Sequence, residues 1–292
     1  MESPKILIIG STSVDLVLNT HKHPGPSETV MAEKSEYFFG GKGANQAVGT
    51  SRLGAEVSLV GMVGKDRRGA EVLYHLEREG VDTRYVVQTS EADTGSAYVT
   101  ASEGRNSIVV VPAANHFLKP EHVLAAEEEF KSADLVLTQL EIPMEVVEET
   151  LRLAKKHGVK LGIYAAPAAP LSKEMIDYAS FIVAKSSELS VVFQNAPSEN
   201  LTKQYPNRLF VRDDSNSTTY YDGSEMKYFR NDHDELLHKM GMGDAFTSGF
   251  ALAFARGLPT KECVKSGNKV SLKVAINRGS QDGLPYAKDI EE

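Results

Sequence analysis

The sequence Gly241-Met242-Gly243-Asp244 leads directly into an apolar stretch, residues 245–256, that predicts a buried helix. Its two glycines let the backbone turn tightly before the helix begins. The N-terminus of a helix offers unpaired amides and a partial positive charge, which suit a phosphate or an oxyanion. Beside those amides, Asp244 could take a proton from a hydroxyl that attacks a phosphate. The alternative interpretation is structural, with Asp244 capping the helix and the glycines forming its entry turn.

The composition indicates one globular domain, which we expect to span residues 1–292. Apolar residues make up 41% and charged residues 25%, both ordinary for this class, and the formal charge of −8 argues against a nucleic-acid partner. No apolar run is long enough for a membrane span, and the first one is too short for a signal peptide. The single cysteine, Cys263, excludes an intrachain disulfide, so we interpret it as a packing residue. We therefore expect a cytoplasmic protein with no membrane or nucleic-acid partner, and the scattered histidines argue against structural zinc.

Short apolar strands alternate with helical segments along most of the chain. Strands are predicted at 5–10, 57–63, 134–139, 159–164, 180–184 and 207–212, and helices at 44–53, 70–79, 144–157, 174–179, 245–256 and 261–277. This alternation predicts an α/β fold with a parallel sheet that is covered by helices on both faces.

Two regions depart from this alternation. The segments 95–102 and 107–111, joined by a polar turn, predict a β-hairpin. Residues 28–39 predict a further, exposed strand. We expect about 13–40 and 95–111 to form a small β-lid that closes over a substrate and excludes water.

A second glycine-rich run, Gly40-Gly41-Lys42-Gly43, precedes a predicted helix. Such a run suggests that a ligand approaches the backbone amides, with Lys42 and Asn45 as polar contacts. Its glycine spacing fits neither a P-loop nor a dinucleotide-binding fingerprint, which disfavours a nucleotide-dependent dehydrogenase. The alternative interpretation is a simple connection between elements.

Asp15 follows the first predicted strand, near the edge where open α/β sheets bind ligands. Its carboxylate could accept hydrogen bonds from sugar hydroxyls. The alternative is an Asp that caps a turn.

Three stretches together resemble the ribokinase-like carbohydrate kinases, the phosphofructokinase B-type family. They are Gly-Gly-Lys-Gly-Ala-Asn-Gln-Ala-Val at 40–48, Gly-Met-Val-Gly-Lys-Asp at 61–66 with Gly69, and Gly-Met-Gly-Asp at 241–244. Gln139-Leu140-Glu141 adds to the pattern. The resemblance covers almost the whole chain, and the first run is typical of the ribokinases within the family.

The resemblance implies a three-layer αβα sandwich with a mostly parallel central sheet, a small β-lid, and a homodimer formed through the lids. It also implies transfer of the ATP γ-phosphate to a primary hydroxyl of ribose or a similar sugar, assisted by Mg²⁺; a nucleoside acceptor is an alternative. Asp244 would be the catalytic base, and the amides of Gly241, Met242 and Gly243 would form an anion hole. The implied sugar contacts are Ser13, Asp15, Gly41, Lys42, Asn45 and Glu141. The implied nucleotide contacts are Lys185, Glu188, Arg212, Asp214 and Asn268.

The chain departs from the family on the nucleotide side. An Asn-Glu-x-Glu motif that organises Mg²⁺ and phosphates appears as Lys185-Ser186-Ser187-Glu188, which leaves Glu188 as the candidate metal ligand. The family's usual glycine-rich nucleotide segment is replaced here by Asp213-Asp214-Ser215-Asn216. The two acids in this run would repel phosphates. His238-Lys239 replaces an Asp-Thr pair that helps to bind potassium, so we expect an altered potassium site with Lys239 supplying the charge.

Several alternatives stay open at this point. A catalytically weakened sugar-binding or regulatory protein, with a degenerate nucleotide site, would also fit these departures. Ser13, where the family usually has Asn, still offers a hydroxyl. Glu141 and Glu188 could be ordinary acids at helix starts, and Lys239 a solvated lysine.

Overall fold

A nine-stranded sheet and a separate four-stranded sheet organise the described part of the chain. The structure is a computed structural model that describes residues 3–102, 105–194, 200–213, 215–230, 240–275 and 280–290. The strands of the main sheet are β1 (Lys5–Ile9), β4 (Glu56–Gly64), β5 (Val81–Thr89), β8 (Leu135–Gln139), β9 (Leu161–Tyr164), β10 (Phe181–Lys185), β11 (Leu209–Arg212), β12 (Thr218–Tyr221) and β13 (Met226–Phe229). Those of the small sheet, the lid, are β2 (Ser13–Thr20), β3 (Ala32–Gly40), β6 (Ser96–Ser102) and β7 (Arg105–Val111).

The main sheet is mostly parallel, as the alternation of strands and helices predicts. Its order is β13-β12-β11-β10-β9-β8-β1-β4-β5, and among the described strands of this sheet only the β11–β12 and β12–β13 pairs are antiparallel. The helices are α1 (Lys42–Arg52), α2 (Arg67–Arg78), α3 (Pro120–Leu124), α4 (Glu127–Ser132), α5 (Met144–His157), α6 (Lys173–Tyr178), α7 (Leu189–Val192), α8 (Leu201–Gln204), α9 (Met242–Ala255) and α10 (Thr260–Ala275).

Strand β1 is apolar after the exposed Lys5 because both of its faces are buried. Ile6 and Ile8 of β1 pack into one core cluster with residues of α1, α9 and α10. Leu7 and Ile9 face the other side and pack with residues of α3 to α6. Helices therefore cover both faces of the sheet, and the expected three-layer αβα fold is confirmed.

The lid is built from two segments of the chain. Strands β2 and β3 follow β1, and strands β6 and β7 follow β5. The order of the lid is β3-β2-β6-β7, with β2 parallel to β6 and antiparallel to β3. Alternate residues of two lid strands face one cavity: Ser13, Asp15 and Asn19 from β2, and Ala97, Val99 and Ala101 from β6. Along the described residues, no helix is both long and apolar enough to cross a membrane.

Candidate active site

A cavity of about 1070 Å³ lies between the lid and the carboxyl ends of the central strands. Tyr164, Lys185 and Arg212, which end β9, β10 and β11, line one side of it. All six predicted sugar contacts line it as well: Ser13, Asp15, Gly41, Lys42, Asn45 and Glu141. Gly241, Gly243 and Asp244 complete the set, so the structure brings the candidate residues together at the edge where α/β sheets bind ligands.

Other predicted residues lie elsewhere. The side chain of Met242 is in the hydrophobic core, so only its backbone could contribute to an anion hole. Glu188 and Asn268 are not among the residues that line the cavity. Asp214, His238 and Lys239 lie outside the described residues.

Helices α1 and α9 both begin after a glycine in the left-handed region of backbone conformation. Gly41 has φ +89° and Gly241 has φ +75°, and neither helix start has a side-chain cap. A Cβ on Gly41 would lie 2.6 Å from Thr12 Cα, and one on Gly241 would lie 3.1 Å from Ser280 Cα. Glycine is therefore required at both helix starts.

The two helix starts differ in what their amides contact. At α1, the Lys42 amide donates to Ser11 Oγ at 3.0 Å, and the Ala44 amide donates to the Ser11 carbonyl at 3.0 Å. Ser11 thus occupies amides that the glycine-rich run had suggested for a ligand. At α9, the first amides have neither an intrahelical nor a side-chain acceptor among the described residues. The N-terminus of α9 is consequently the better candidate for binding an anion.

Asp244 is buried and does not cap its helix, which removes the structural interpretation of this acid. Its carboxylate accepts hydrogen bonds from Asn45 Nδ2 at 3.0 Å and Gln46 Nε2 at 3.2 Å. Burial raises the pKa of the carboxyl, and the charge of Lys42 and the two amide donors partly oppose that rise. A desolvated carboxylate with a raised pKa is a better proton acceptor than one in water.

Lys42 supplies positive charge beside this carboxylate. Its Nζ lies 5.7 Å from the ring centroid of Tyr164, the buried last residue of β9. Burial lowers the pKa of the ammonium, but the nearby Asp244, Tyr164 and Glu141 raise it more, so the net pKa is above its ordinary value. Lys42 therefore remains charged at neutral pH.

Asp15 projects from β2 and does not cap a turn. Its carboxylate accepts hydrogen bonds from Ser280 Oγ at 3.3 Å and Ser13 Oγ at 3.4 Å. Burial, reinforced by the charge of Glu141, raises its pKa to about 6, against the hydrogen bonds from the two serines. This acid is ionised at neutral pH, and it lines the cavity.

Glu141 binds the start of α1 rather than the start of α5. Ser11 Oγ donates to Glu141 Oε2 at 2.5 Å, and the Lys42 amide lies 3.3 Å from the same oxygen. The interpretation of Glu141 as a first-turn acid of α5 is therefore wrong, since that helix begins at Met144 after Pro143.

Two cations line the cavity where strands β10 and β11 end. Lys185 and Arg212 are register partners at the ends of β10 and β11. Arg212 is only 3% exposed, and its guanidinium lies 4.2 Å from the ring centroid of Phe246. Burial lowers its pKa to about 10, so it is still a cation at neutral pH.

The hydrogen bonds of Arg212 explain where Asn268 lies. The guanidinium donates to Ser271 Oγ at 3.1 Å and to the side-chain oxygens of Asn268 and Asn216 at 3.4 Å each. Asn268 thus lies behind Arg212 on α10 and supports it. Ser271 in turn donates to the Met242 carbonyl at 3.0 Å, which ties Arg212 to the first turn of α9.

The acidic segment after β11 is partly neutralised by its own loop. Asp213 Oδ1 accepts hydrogen bonds from the amides of Ser215 and Ser217, both at 2.9 Å. Together with the adjacent Arg212, these donors weaken the repulsion of phosphates that the sequence predicts for Asp213.

Sequence reasoning missed several residues around the site. Ser11 and Tyr164 were not singled out, although both contact candidate residues. Gln46 belongs to the glycine-rich run, and that position was the available signal. Ser280 and Gln281 come from a segment without any recognisable pattern, and only the fold brings them to Asp15 and Asn45.

Comparison with known proteins shows which enzymes this chain resembles. The model of the pfkB family carbohydrate kinases matches residues 3–287. Bacillus subtilis ribokinase is 36% identical over 287 residues that cover 98% of each chain, and Lactococcus lactis ribokinase is 32% identical over 288 residues, 98% of this chain and 96% of that one. The structure of Arabidopsis thaliana ribokinase complexed with ribose and ATP matches with a TM-score of 0.87 and 26% identity, over 100% of this chain and 98% of that one. The family resemblance and the class of enzyme are both confirmed: this chain belongs to the pfkB family of carbohydrate kinases.

Proposed function

We propose that this carbohydrate kinase transfers the γ-phosphate of ATP to a primary hydroxyl of ribose or a similar small sugar. The observation that carries the proposal is the shared cavity. It brings the Asp244 carboxylate and the uncapped start of α9 together with a polar set that suits sugar hydroxyls. The ribokinases among its relatives, and the ribose and ATP bound in the Arabidopsis structure, support this choice of acceptor and donor.

In the proposed reaction, the sugar hydroxyl gives its proton to Asp244 as its oxygen attacks the γ-phosphorus of ATP. A bond forms between that oxygen and phosphorus, the bond from phosphorus to the β–γ bridging oxygen breaks, and ADP leaves. The amides of Gly241, Met242 and Gly243 stabilise the charge on the transferring group, which is the main electrostatic task in phosphoryl transfer. Lys42 balances the negative charge around Asp244.

On the sugar side, acceptors and donors are already arranged. Asp15 offers carboxylate oxygens from the lid, while Lys42 and Asn45 offer donors from α1. Such a mixture matches a ligand whose hydroxyls both donate and accept hydrogen bonds. We propose that Ser13, Gly41 and Glu141 complete this sugar subsite.

On the nucleotide side, we propose that Lys185 and Arg212 contact phosphate oxygens. Mg²⁺ would neutralise charge on those phosphates. Among the described residues, no cluster of three His, Cys, Asp or Glu side chains could hold a metal. Glu188 lies outside the cavity lining, but its charge acts on Lys42 and Tyr164 at the site. Its Oε2 is buried without a hydrogen-bond partner among the described residues, so we propose it as a carboxylate close to an ion held mainly by phosphates. The proposed effect of Lys239 on potassium dependence remains a prediction.

The lid also presents a surface that suits self-association. Its edge strand β7 exposes four successive apolar side chains; Ile108 and Val110 line the cavity, whereas Val109, 64% exposed, and Val111 do not. An unpaired, apolar edge strand is a ready site for pairing with another sheet. We propose that two copies of this chain form a homodimer through their lids.

Calorimetric titration with ribose, and separately with Mg²⁺-ATP, tests the proposed ligands. Binding of both supports a kinase for this sugar. Binding of ribose without ATP would instead favour the sugar-binding alternative, in which the altered Lys185–Glu188 segment has ended catalysis. Repeating the ATP titration with and without potassium tests whether the change at His238 and Lys239 has removed cation dependence.

A further inference from the structure

A buried glutamine connects the candidate base to the back of the site. Gln281 is 1% exposed, and its Nε2 donates to Asn45 Oδ1 at 3.0 Å and lies 3.4 Å from the Gly40 carbonyl. On its other side, Gln281 Oε1 lies 2.8 Å from His75 Nε2. Asn45 then donates to Asp244 at 3.0 Å, which completes a chain of three hydrogen bonds from His75 to the carboxylate.

The direction of these hydrogen bonds is fixed by chemistry. A backbone carbonyl can only accept, so the Gln281 nitrogen faces Gly40 and Asn45, and its oxygen faces His75. His75 must therefore carry its proton on Nε2. Because Asn45 Oδ1 accepts from Gln281, the amide nitrogen of Asn45 is the group that faces Asp244. Reversing either amide would bring acceptor against acceptor.

The second carboxylate oxygen is held in the same manner. Gln139 Nε2 donates to Gln46 Oε1 at 2.8 Å, and Gln46 Nε2 donates to Asp244 Oδ1 at 3.2 Å. Each oxygen of Asp244 therefore accepts from one primary amide, whose own oxygen is held by a second amide. This arrangement sets the plane of the carboxylate and leaves a lone pair on each oxygen for a substrate hydroxyl.

We propose that Gln281, anchored by His75, is a positioning residue that fixes the side chain of Asn45 and thereby the orientation of the base, Asp244. The inference rests on the proposed kinase function. His75 itself is held in place by stacking on Phe39, with ring centroids 4.1 Å apart and planes 11° apart.

The charged groups around Asp244 predict how the chain of hydrogen bonds from His75, which we call the relay, affects the titration of this carboxyl. Asp244 is faced by Lys42 from α1, Glu141 after β8, Tyr164 from β9 and Asp15 from β2. The amide of Asn45 lowers the pKa of Asp244, in opposition to burial. A variant that releases Asn45 should therefore raise the pH at which activity is lost on the acidic side.

His75 has charged neighbours of its own: Glu79, Arg52 and Asp282. Burial lowers the pKa of His75, while the hydrogen bond to Gln281 opposes this shift. The imidazole is therefore neutral at neutral pH and donates through Nε2. Protonation of His75 would leave the proton on Nε2, so the hydrogen bond to Gln281 should persist when His75 titrates.

The test compares the pH dependence of kcat and kcat/KM for ribose in the wild type and in Gln281→Met, which has similar length but no amide. We expect kcat to fall about tenfold, as for a lost hydrogen bond to a charged group, and the acidic limb to move to higher pH. His75→Phe, which can still stack on Phe39, should shift the limb in the same direction, and His75→Gln, which keeps a donor, should restore part of it. Gln204→Met, an exposed residue of α8, is the matched control and should behave as the wild type.

The outcomes separate the two proposals. A wild type that phosphorylates no sugar overturns the proposed function and, with it, the positioning role that rests on it. A wild type that is active, with a Gln281→Met variant whose kcat and acidic limb are unchanged, overturns the positioning role alone. If Gln281→Met does not fold, an unshifted limb in His75→Phe overturns it equally. A crystal structure of Gln281→Met should show that Asn45 has turned away from Asp244, and an unmoved Asn45 would count against the proposal.

Discussion

The side-chain nitrogen of Asn45 lies 3.0 Å from a carboxylate oxygen of Asp244, a residue 199 positions further along the chain. This hydrogen bond joins the starts of α1 and α9, the two helices that follow left-handed glycines at the cavity. In the proposed mechanism, the same bond connects a sugar contact to the base. Binding of the acceptor and placement of the proton acceptor are therefore linked through one pair of side chains.

Asp244→Asn should abolish most turnover while the fold and ribose binding are retained. An amide of the same shape can occupy the site but cannot take the proton, so kcat should fall by about 10²–10⁴. Steady-state kinetics and calorimetry with ribose give the two quantities. Turnover near that of the wild type would remove Asp244 from the mechanism.

Asp15→Asn should weaken ribose binding but stabilise the folded protein above pH 6. The pKa of Asp15 rises from 3.8 to about 6 on folding, so between these values the unfolded chain releases a proton that the folded chain retains. Stability from this group is thus lost as the pH rises, by about 3 kcal/mol at most. The free energy of unfolding in urea at pH 4, 6 and 8 measures the effect.

The control for this prediction is Asp177→Asn, on the exposed surface of α6. Its free energy of unfolding relative to the wild type should be no higher at pH 8 than at pH 4. An Asp15→Asn variant whose stability relative to the wild type does not change with pH would show that Asp15 titrates normally.

Arg212→Met should weaken ATP binding at a modest cost in stability. This buried cation donates to neutral partners, Asn268, Asn216 and Ser271. Methionine removes the cost of burying the charge, but it leaves the buried partner oxygens without their donor, so we expect a loss of about 1–3 kcal/mol in stability. We expect KM for ATP to rise about tenfold, with ribose affinity unchanged. Arg152→Met, at an exposed position of α5, is the control, and equal ATP kinetics in both variants would contradict the assignment.

Gly243→Ala should destabilise the start of α9 because there is no room for a methyl group. A Cβ at Gly243 would lie 2.0 Å from Tyr164 Oη and 2.7 Å from Tyr164 Cζ. Overpacking of this kind costs about 1–3 kcal/mol in stability. Combining it with Tyr164→Phe should recover part of the loss, since the nearer atom is removed. Thermal unfolding of the double-mutant cycle measures this coupling, and simple additivity would show that Tyr164 is not the obstacle.

Val109→Asp should convert the proposed dimer into a monomer. The substitution places a charge within the exposed apolar row of β7. Sedimentation velocity of the wild type and the variant gives the masses in solution. Val191→Asp, on an exposed site of α7 outside the lid, should leave the dimer intact. A wild type that sediments as a monomer would remove the lid-mediated dimer from the account.

The fold was largely predictable where the local signals are strong. The bounds of α5 match the prediction, since Pro143 precedes the helix and Gly158 ends it at a φ of +67°. The start of α2 lies three residues before the predicted one, because the Asp66 carboxylate accepts a hydrogen bond from the Gly69 amide and caps the helix. Strand β5 was missed, as its burial pattern alternates only partly.

The candidate site was predictable only in part. Asp15, Lys42, Asn45 and Asp244 lie in or near glycine-rich turns or the end of a strand, so local sequence pointed to them. Gln281 lies in a segment without such a signal, and it reaches Asn45 through the tertiary fold alone. The occupation of α1 amides by Ser11 was likewise invisible, because the sequence does not reveal which acceptor a turn supplies.

The most direct test of the central claim is phosphorus and carbon NMR of a reaction that contains the purified protein, ribose and Mg²⁺-ATP. We expect one new phosphomonoester on the primary carbon of ribose, formed together with an equal amount of ADP, and formed at least about a hundredfold more slowly with Asp244→Asn. ATP consumption without a sugar phosphate, or a product formed equally by Asp244→Asn, would contradict that claim.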